Sequence, residues 1–312
     1  MEQLDVVTGF SGAGGADLTF INDPAFNVKG FTEVDNHASA VLNFHHPTIP
    51  NFGDIRKKRP EDYPSMDVYV AGFPCQGVSF QGSMTGLNHP QTGLFNCIPP
   101  IIAYHKPKYV ILENVNALFS AKMEEVLKHV KQSICKLGYK VGQKSVDSSN
   151  YGTPQQRVRA VLFFVRKDIK QDRPRGPLYG GPKSVQVETF EGLDSNCRYV
   201  SYSKSTRKMH YDYRIREDGM INTLTTGRGC KGASTGTIVI DKDNNVRDLL
   251  PTECEALQTW PKDYTKIGLR EDGTTYHIPI GNRYKMCGNG VVSNIMIPFK
   301  NMIKEIEGYE IF

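Results

Sequence analysis

The 312-residue sequence predicts an α/β protein, an open parallel sheet covered by helices, with a second and smaller lobe. Two observations carry this. Residues 4–167 alternate short β-branched apolar runs with amphipathic stretches, the pattern of a sheet whose faces are both covered. From about residue 170 this gives way to short strands and turns, with no clean helical period until TECEALQTW at 252–260.

The strands are LDVVTGF, VKGFTEVD, MDVYVAGF, KYVILENV and RAVLFFVRK, each apolar and bounded by turn residues. Between them NHASAVLNF and AKMEEVLKHVKQSICKLG read as helices. In the second, Met123, Val126, Leu127, Val130, Ile134 and Leu137 recur at steps of three and four, and Gly138 supplies a stop. Prolines and glycines crowd residues 172–186 and mark a lobe boundary. The last stretch, VVSNIMIPFKNMIKEIEGY, reads as a helix with an apolar face that returns to the first lobe. The expected division is therefore 1–172 plus 284–312 for one domain and 173–283 for the other.

Charged residues make up 23% and hydrophobic residues 39%, an ordinary balance for a globular protein in water. Apolar runs such as AVLFFV are too short to span a bilayer, so no membrane partner is expected. The opening MEQLDVVTGF lacks a basic start followed by an apolar core, so the expectation is an intracellular protein that is not secreted. Seven cysteines, none in a CxxC pair, argue against a disulfide framework or a structural zinc site, and no metal is expected. The net charge of +5 is mild, but basic residues gather in IRKKRP, RKDIKQDRPR and KSTRKMHYDYRIR. The last interleaves them with tyrosines, a mixture suited to phosphates and bases.

In an open α/β sheet, chemistry is sought at the carboxyl ends of the strands. The first strand enters GFSGAGGADLTF, where Gly12, Gly14 and Gly15 permit a tight turn and Phe10 offers a flat ring. The spacing is not that of the dinucleotide fingerprint. Glu33 ends the second strand, where an acid partners ribose hydroxyls, and Asp54 is placed to accept from an exocyclic amine. Together they describe a nucleoside pocket without a pyrophosphate cradle. In AGFPCQGVSF, Cys75 follows a proline on a glycine-rich loop, and Glu113 ends the neighbouring strand. A thiol beside a carboxyl group suggests a nucleophile and an acid acting on one substrate. A core-filling thiol and a helix-capping acid are the plainer alternatives. Arg157 and Arg159 lie two apart, on one side of a strand entering the core, where a buried guanidinium needs an anion or a carbonyl.

FSGAGG, FPCQGVS, LENV, PQQRVR, RDLLPTECEALQTWP and CGNGVV, in this order from residue 10 to 292, resemble the motifs of the DNA cytosine-5 methyltransferase family. The resemblance implies a Rossmann-like S-adenosylmethionine-dependent methyltransferase sheet, with target recognition in the second domain. It implies that Phe10, Ser11, Gly12, Gly14 and Gly15 wrap S-adenosylmethionine, with Glu33 on the ribose and Asp54 on the adenine amine. Val34, Ile55 and Pro74 belong to the same site, and Asn289 and Val291 close it. The implied catalytic set is Cys75, attacking C6 of a flipped-out cytosine, Glu113 on N3, Arg159 on the base carbonyl, and Arg157. Ser79 near a phosphate, Gln81 filling the vacated stack, and Thr223, Thr225, Arg228 and Lys231 in the second lobe are the implied DNA contacts.

The implied partner is double-stranded DNA, bound by a monomer, with a restriction endonuclease as companion in the same system. The setting is cytoplasmic for a bacterium or phage, and nuclear or a viral factory for a eukaryotic virus. Three departures stand out. Gln91 replaces the loop arginine, Pro99 and Pro100 interrupt the helix that follows, and GNGVV lacks a proline after the valine. A branch acting on transfer RNA carries a Cys-Phe-Thr signature, absent here, and a non-catalytic homologue predicts a broken catalytic set, whereas this one is complete.

Overall fold

The computed structural model describes residues 2–74, 92–170, 185–207, 210–226 and 235–311. Six strands form the main sheet: β1 (Leu4–Gly9), β2 (Phe26–Gly30), β3 (Val68–Gly72), β4 (Tyr109–Val115), β5 (Tyr139–Asp147) and, after the two-residue β6 (Gln155–Gln156), β7 (Val158–Arg166). Their order is β2-β1-β3-β4-β7-β5. The first four are mutually parallel, but β7 runs antiparallel to both β4 and β5. This corrects the expected all-parallel sheet. Residues 148–157 are too few for a helical crossover, so the chain can only double back from β5 into β7.

Alternation along the strands sorts side chains onto two faces. Val7, Tyr69, Ala71, Val110, Leu112 and Phe164 face one core with Ile98, Ile101 and Ile102 of α3 (Ile98–His105) and Val126, Val130 and Ile134 of α4 (Glu124–Cys135). Val6, Val68, Val70, Ile111, Val161 and Phe163 face the other, covered by Phe20 of α1 (Leu18–Ile21), Leu42 of α2 (Asn36–His45) and Phe299 and Ile303 of α7 (Ile297–Glu307). The C-terminal helix thus lies against the sheet of the first lobe.

Three local expectations are revised. Strand β5 carries no continuous apolar run that would mark it in the sequence, because only Tyr139 and Val146 of its nine residues are buried. Pro99 and Pro100 do not interrupt a helix. They sit in the first turn of α3, where a missing N–H costs nothing. Leu137 falls beyond the end of α4 and is exposed.

The second lobe is built on β8 (Arg198–Arg207), β9 (His210–Ile215), β11 (Thr235–Ile240) and β12 (Val246–Asp248), ordered β12-β11-β8-β9. Strand β10 (Ile221–Asn222) pairs in parallel with β6 and ties this lobe to the first. After it come α5 (Pro251–Leu257), β13 (Ile267–Leu269), β14 (Thr275–His277) and α6 (Ile280–Asn289). A third core joins Ala13, Leu18, Ala38 and Val41 to Leu249, Leu257, Trp260, Tyr264 and Tyr284, so the turn after β1 rests on residues from the far end of the chain.

Gly15 shows how tight that junction is. A Cβ there would overlap the Val291 carbonyl oxygen and meet the Trp260 ring at 2.9 Å, while Trp260 Nε1 donates to the same carbonyl at 3.1 Å. Gly15→Ala is expected to destabilise the protein by about 1–3 kcal/mol through overpacking, read as a lower denaturation midpoint in urea. An unchanged midpoint would mean that Val291 is not held where it lies.

Candidate functional site

The carboxyl ends of β1, β3 and β4 open on a cleft of about 1320 Å³. That exceeds the roughly 300–1,000 Å³ of a single small-ligand pocket. One end is walled by Phe10–Ala13, Thr32–Asp35 and Gly53–Arg56, the other by Asn114–Ala117 and Arg157–Arg159, with Gly72, Phe73, Pro74 and Glu113 between them.

Phe10 carries a φ of 57°, an uncommon backbone for a non-glycine residue, and its ring borders the cleft. Gly12 turns at φ +57° with nothing within 4 Å of where a Cβ would stand, so its open side faces space. Ser11, Gly12 and Ala13 line the cleft. Gly14 and Gly15 are not part of this wall: Gly14 faces Leu42 and Tyr264, and Gly15 faces Val291 and Trp260. The side on which a side chain would stand is taken up by the packing of the turn.

Glu33 accepts from the N–H groups of Gly12 (2.7 Å), Val34 (2.8 Å) and Asp35 (2.7 Å). Burial raises its pKa, and those N–H donors oppose the rise. Val34 presents an exposed apolar side chain beside it, and Ile55 a buried one. Asp54 also borders the cleft, but Arg56 grips it through Nε to Oδ1 (2.9 Å) and Nη2 to Oδ2 (2.7 Å). Those bonds hold the Asp54 carboxyl down at about 2, so it stays charged. An acidic wall with apolar faces fits a ligand bearing positive charge, a ribose and a flat base, and disfavours a pyrophosphate. S-adenosylmethionine has those three parts, and the residues present fit it.

Glu113 lies at the centre. Pairing sets it opposite Gly72 on β3, and a Cβ on Gly72 would come within 3.2 Å of Glu113 Oε2. The missing side chain is what leaves room for the carboxyl. On the other side, antiparallel pairing brings Arg159 opposite Val115, and its Nε lies 3.1 Å from Glu113 Oε1, with both side chains nearly buried. Burial raises the Glu113 pKa against the lowering pull of Arg159 and Arg157. Asn114, which sequence reasoning passed over, donates from Nδ2 to the Phe73 carbonyl at 3.1 Å. It anchors the turn that leads through Pro74 toward Cys75.

Arg157 behaves differently from its neighbour. It is 2% exposed and gives Nη1 to the Leu224 carbonyl (2.9 Å) and Nη2 to the carbonyls of Gly288 (2.9 Å) and Gly290 (2.7 Å). The expected partnership with an anion or carbonyl is met at its terminal nitrogens by the backbone, while the side chain also borders the cleft and its Nε has no partner among the described residues. Asn289 and Val291 line the cleft beside these carbonyls. Thr223 and Thr225 also reach its edge, but the Thr223 hydroxyl donates to the Gln156 carbonyl at 2.6 Å. Cys75, Ser79, Gln81, Gln91, Arg228 and Lys231 lie outside the described residues.

This geometry agrees with the comparisons. Residues 4–191 match the family model of the C-5 cytosine-specific DNA methylases. The chain belongs to that family. Type II methyltransferase M.HaeII of Haemophilus aegyptius is 34% identical over 303 residues, covering 93% of this chain and 90% of that protein. Type II methyltransferase M.MspI of Moraxella sp is 29% identical over 310 residues, covering 94% and 69%. Among solved structures, Entamoeba histolytica methyltransferase EhMeth superposes with a TM-score of 0.73 at 15% identity, covering 99% of this chain and all of that one. The protein is thus an enzyme with the Rossmann-like methyltransferase fold. No helix among the described residues is long and apolar enough to cross a membrane.

Beneath the cleft floor, Asp17 is fully buried, accepting from Thr8 Oγ1, which in turn bonds Ser11 Oγ at 2.8 Å. Its second oxygen has no partner among the described residues, and burial lifts its pKa to about 7. The folded state therefore holds this proton more tightly than the unfolded chain. The stability so gained is complete below about pH 4 and is lost as pH rises through about 7. Asp17→Asn is expected to flatten that decline, improving on the wild type by on the order of 4 kcal/mol between pH 4 and 7.5, measured by urea denaturation. Parallel pH profiles for the two proteins would contradict it.

Proposed function

We propose that this enzyme transfers a methyl group from S-adenosylmethionine to carbon 5 of a cytosine flipped out of duplex DNA, through a covalent bond to Cys75. The observation that carries the reading is the buried Glu113 carboxyl, paired to Arg159, facing one cleft with the acidic, apolar-walled pocket around Glu33.

Phe10, Val34 and Ile55 would hold the adenine, Glu33 the ribose hydroxyls and Asp54 the adenine amine, with Pro74, Asn289 and Val291 around them. Bound there, the cofactor supplies an electrophilic methyl group on a positively charged sulfur. The target base must leave the stack, because C5 and C6 are out of reach within it. The Cys75 thiolate forms a bond to C6, and the ring electrons move toward N3. Glu113, whose hold on its proton burial strengthens, gives N3 a proton and stabilises that shift. Arg159 takes the base carbonyl oxygen while it orients Glu113. After methylation, a base takes the C5 proton, the C5–C6 double bond re-forms as the Cys75 thiolate departs, and N3 returns its proton to Glu113.

Residues 173–283 are read as the target-recognition domain, with Arg228 and Lys231 supplying charge to phosphates or base edges and Ser79 and Gln81 serving the flipped site. M.HaeII and M.MspI are named Type II methyltransferases, and by that likeness a restriction endonuclease is the expected companion.

Cys75→Ala should lower methyl transfer by more than about a thousandfold while DNA binding persists, measured with labelled cofactor and a filter assay. Duplex DNA bearing 5-fluorocytosine should be trapped as a denaturation-resistant complex by the wild type and released by Cys75→Ala, because fluorine cannot depart as a proton does. Substantial turnover by the variant would falsify the covalent route.

A further inference from the structure

Arg157 heads the largest fully buried side chains, and among the described residues no carboxylate forms an ion pair with it. Burying a guanidinium on such terms is costly unless its donors are met. Those on its terminal nitrogens are met by backbone carbonyls from two distant parts of the chain, while Nε has no hydrogen-bond partner among the described residues. Leu224 lies in the second lobe between Thr223 and Thr225, and Gly288 and Gly290 flank Asn289 at the end of α6. The first segment faces the proposed DNA contacts. The second closes the proposed cofactor cleft.

The surroundings make the junction stiff. Gln155, two residues earlier, accepts the Leu224 N–H at 3.0 Å, so both backbone polar groups of Leu224 are held from one short stretch. Gln258 donates to the Cys287 carbonyl from α5's side. At Gly288 a Cβ would overlap the Thr225 carbonyl, so the two segments touch backbone to backbone. Arg159, which orients Glu113, lies two residues beyond Arg157. Neither segment can move without disturbing the same fork.

We propose that Arg157 is a positioning residue that couples the two binding sites through its terminal nitrogens. Its fork fixes the Gly288–Gly290 edge of the cofactor cleft against Leu224 of the second lobe. Filling the cleft then stabilises the recognition segment, and DNA on that segment stabilises the cleft. Such coupling is reciprocal and spans about 5- to 150-fold in typical cases. The inference rests on the functional reading above and deepens it.

The test measures affinity of the full chain for duplex DNA with and without S-adenosylhomocysteine, which fits the cleft but carries no methyl group. The wild type should bind DNA about tenfold more tightly with it, and S-adenosylhomocysteine should bind equally more tightly with DNA. Arg157→Lys keeps the charge but loses the fork, and should reduce both factors to within about twofold. A mutation-free measurement guards against misfolding. By hydrogen exchange on the wild type, S-adenosylhomocysteine alone should slow the amides of Leu224–Thr226, and DNA alone those of Gly288–Val291. Coupling kept in a folded Arg157→Lys, a fall in kcat with coupling intact, or protection confined to the ligand's own walls would each overturn the proposal. Failure of both ligands to bind the wild type would instead bring down the functional reading itself.

Discussion

A carboxyl group sealed at the end of a central strand is the constraint around which this molecule is arranged. Glu113 cannot be buried at no cost, and each neighbour of its oxygens answers that cost. Gly72 gives up a side chain to make room, and Arg159 arrives on the antiparallel strand β7 at the height of Val115. The reversal of β7 within an otherwise parallel-rich sheet is therefore a functional feature as much as a topological one. A parallel last strand entered by a helical crossover would start from the opposite end of the sheet, away from the carboxyl group.

Burial and the ion pair act on Glu113 in opposite directions, and burial prevails. A group held in that balance can serve as a proton donor to a ring nitrogen and still be oriented by a cation. Around it the cleft divides by chemistry: acids and apolar walls toward β1 and β2, amides and the arginine pair toward β4 and β7. The same backbone accounting continues outward. Asn294 donates to the Tyr151 carbonyl at 2.9 Å, Gln155 to the Leu257 carbonyl at 2.9 Å and Trp260 to the Val291 carbonyl at 3.1 Å. Long-range side-chain-to-carbonyl bonds of this kind let loops from both ends of the chain converge on one cleft while pairing many of their buried polar groups.

Much of this was legible in the linear chain, and the exceptions share a physical cause. Strands β1, β3, β4 and β7 are buried on both faces and read as continuous apolar runs, whereas β5 is half exposed and carries no such run. The acids at strand ends were readable because position and chemistry coincide there: Glu33, Asp54 and Glu113 all border the cleft. What could not be read was the choice of partner. Arg157 and Arg159 look alike in PQQRVR, yet one meets three carbonyls and the other a carboxylate. Gly12 and Gly15 look alike in FSGAGG, yet one is open toward the cleft and the other packs against Trp260. Asp17 and Asn114 drew no attention because their partners, Thr8 and the Phe73 carbonyl, become neighbours only after folding.

The central claim is that burial outweighs the neighbouring arginine at Glu113, and its most direct test is the titration of that one carboxyl. Carbon-13 NMR of glutamate-labelled full-length protein, with Glu113→Gln supplying the assignment, would follow the side-chain resonance across pH. The account predicts a midpoint above the ordinary glutamate value of about 4.3. A midpoint at or below that value would mean that Arg159 dominates and that burial does not strengthen the carboxyl's hold on its proton.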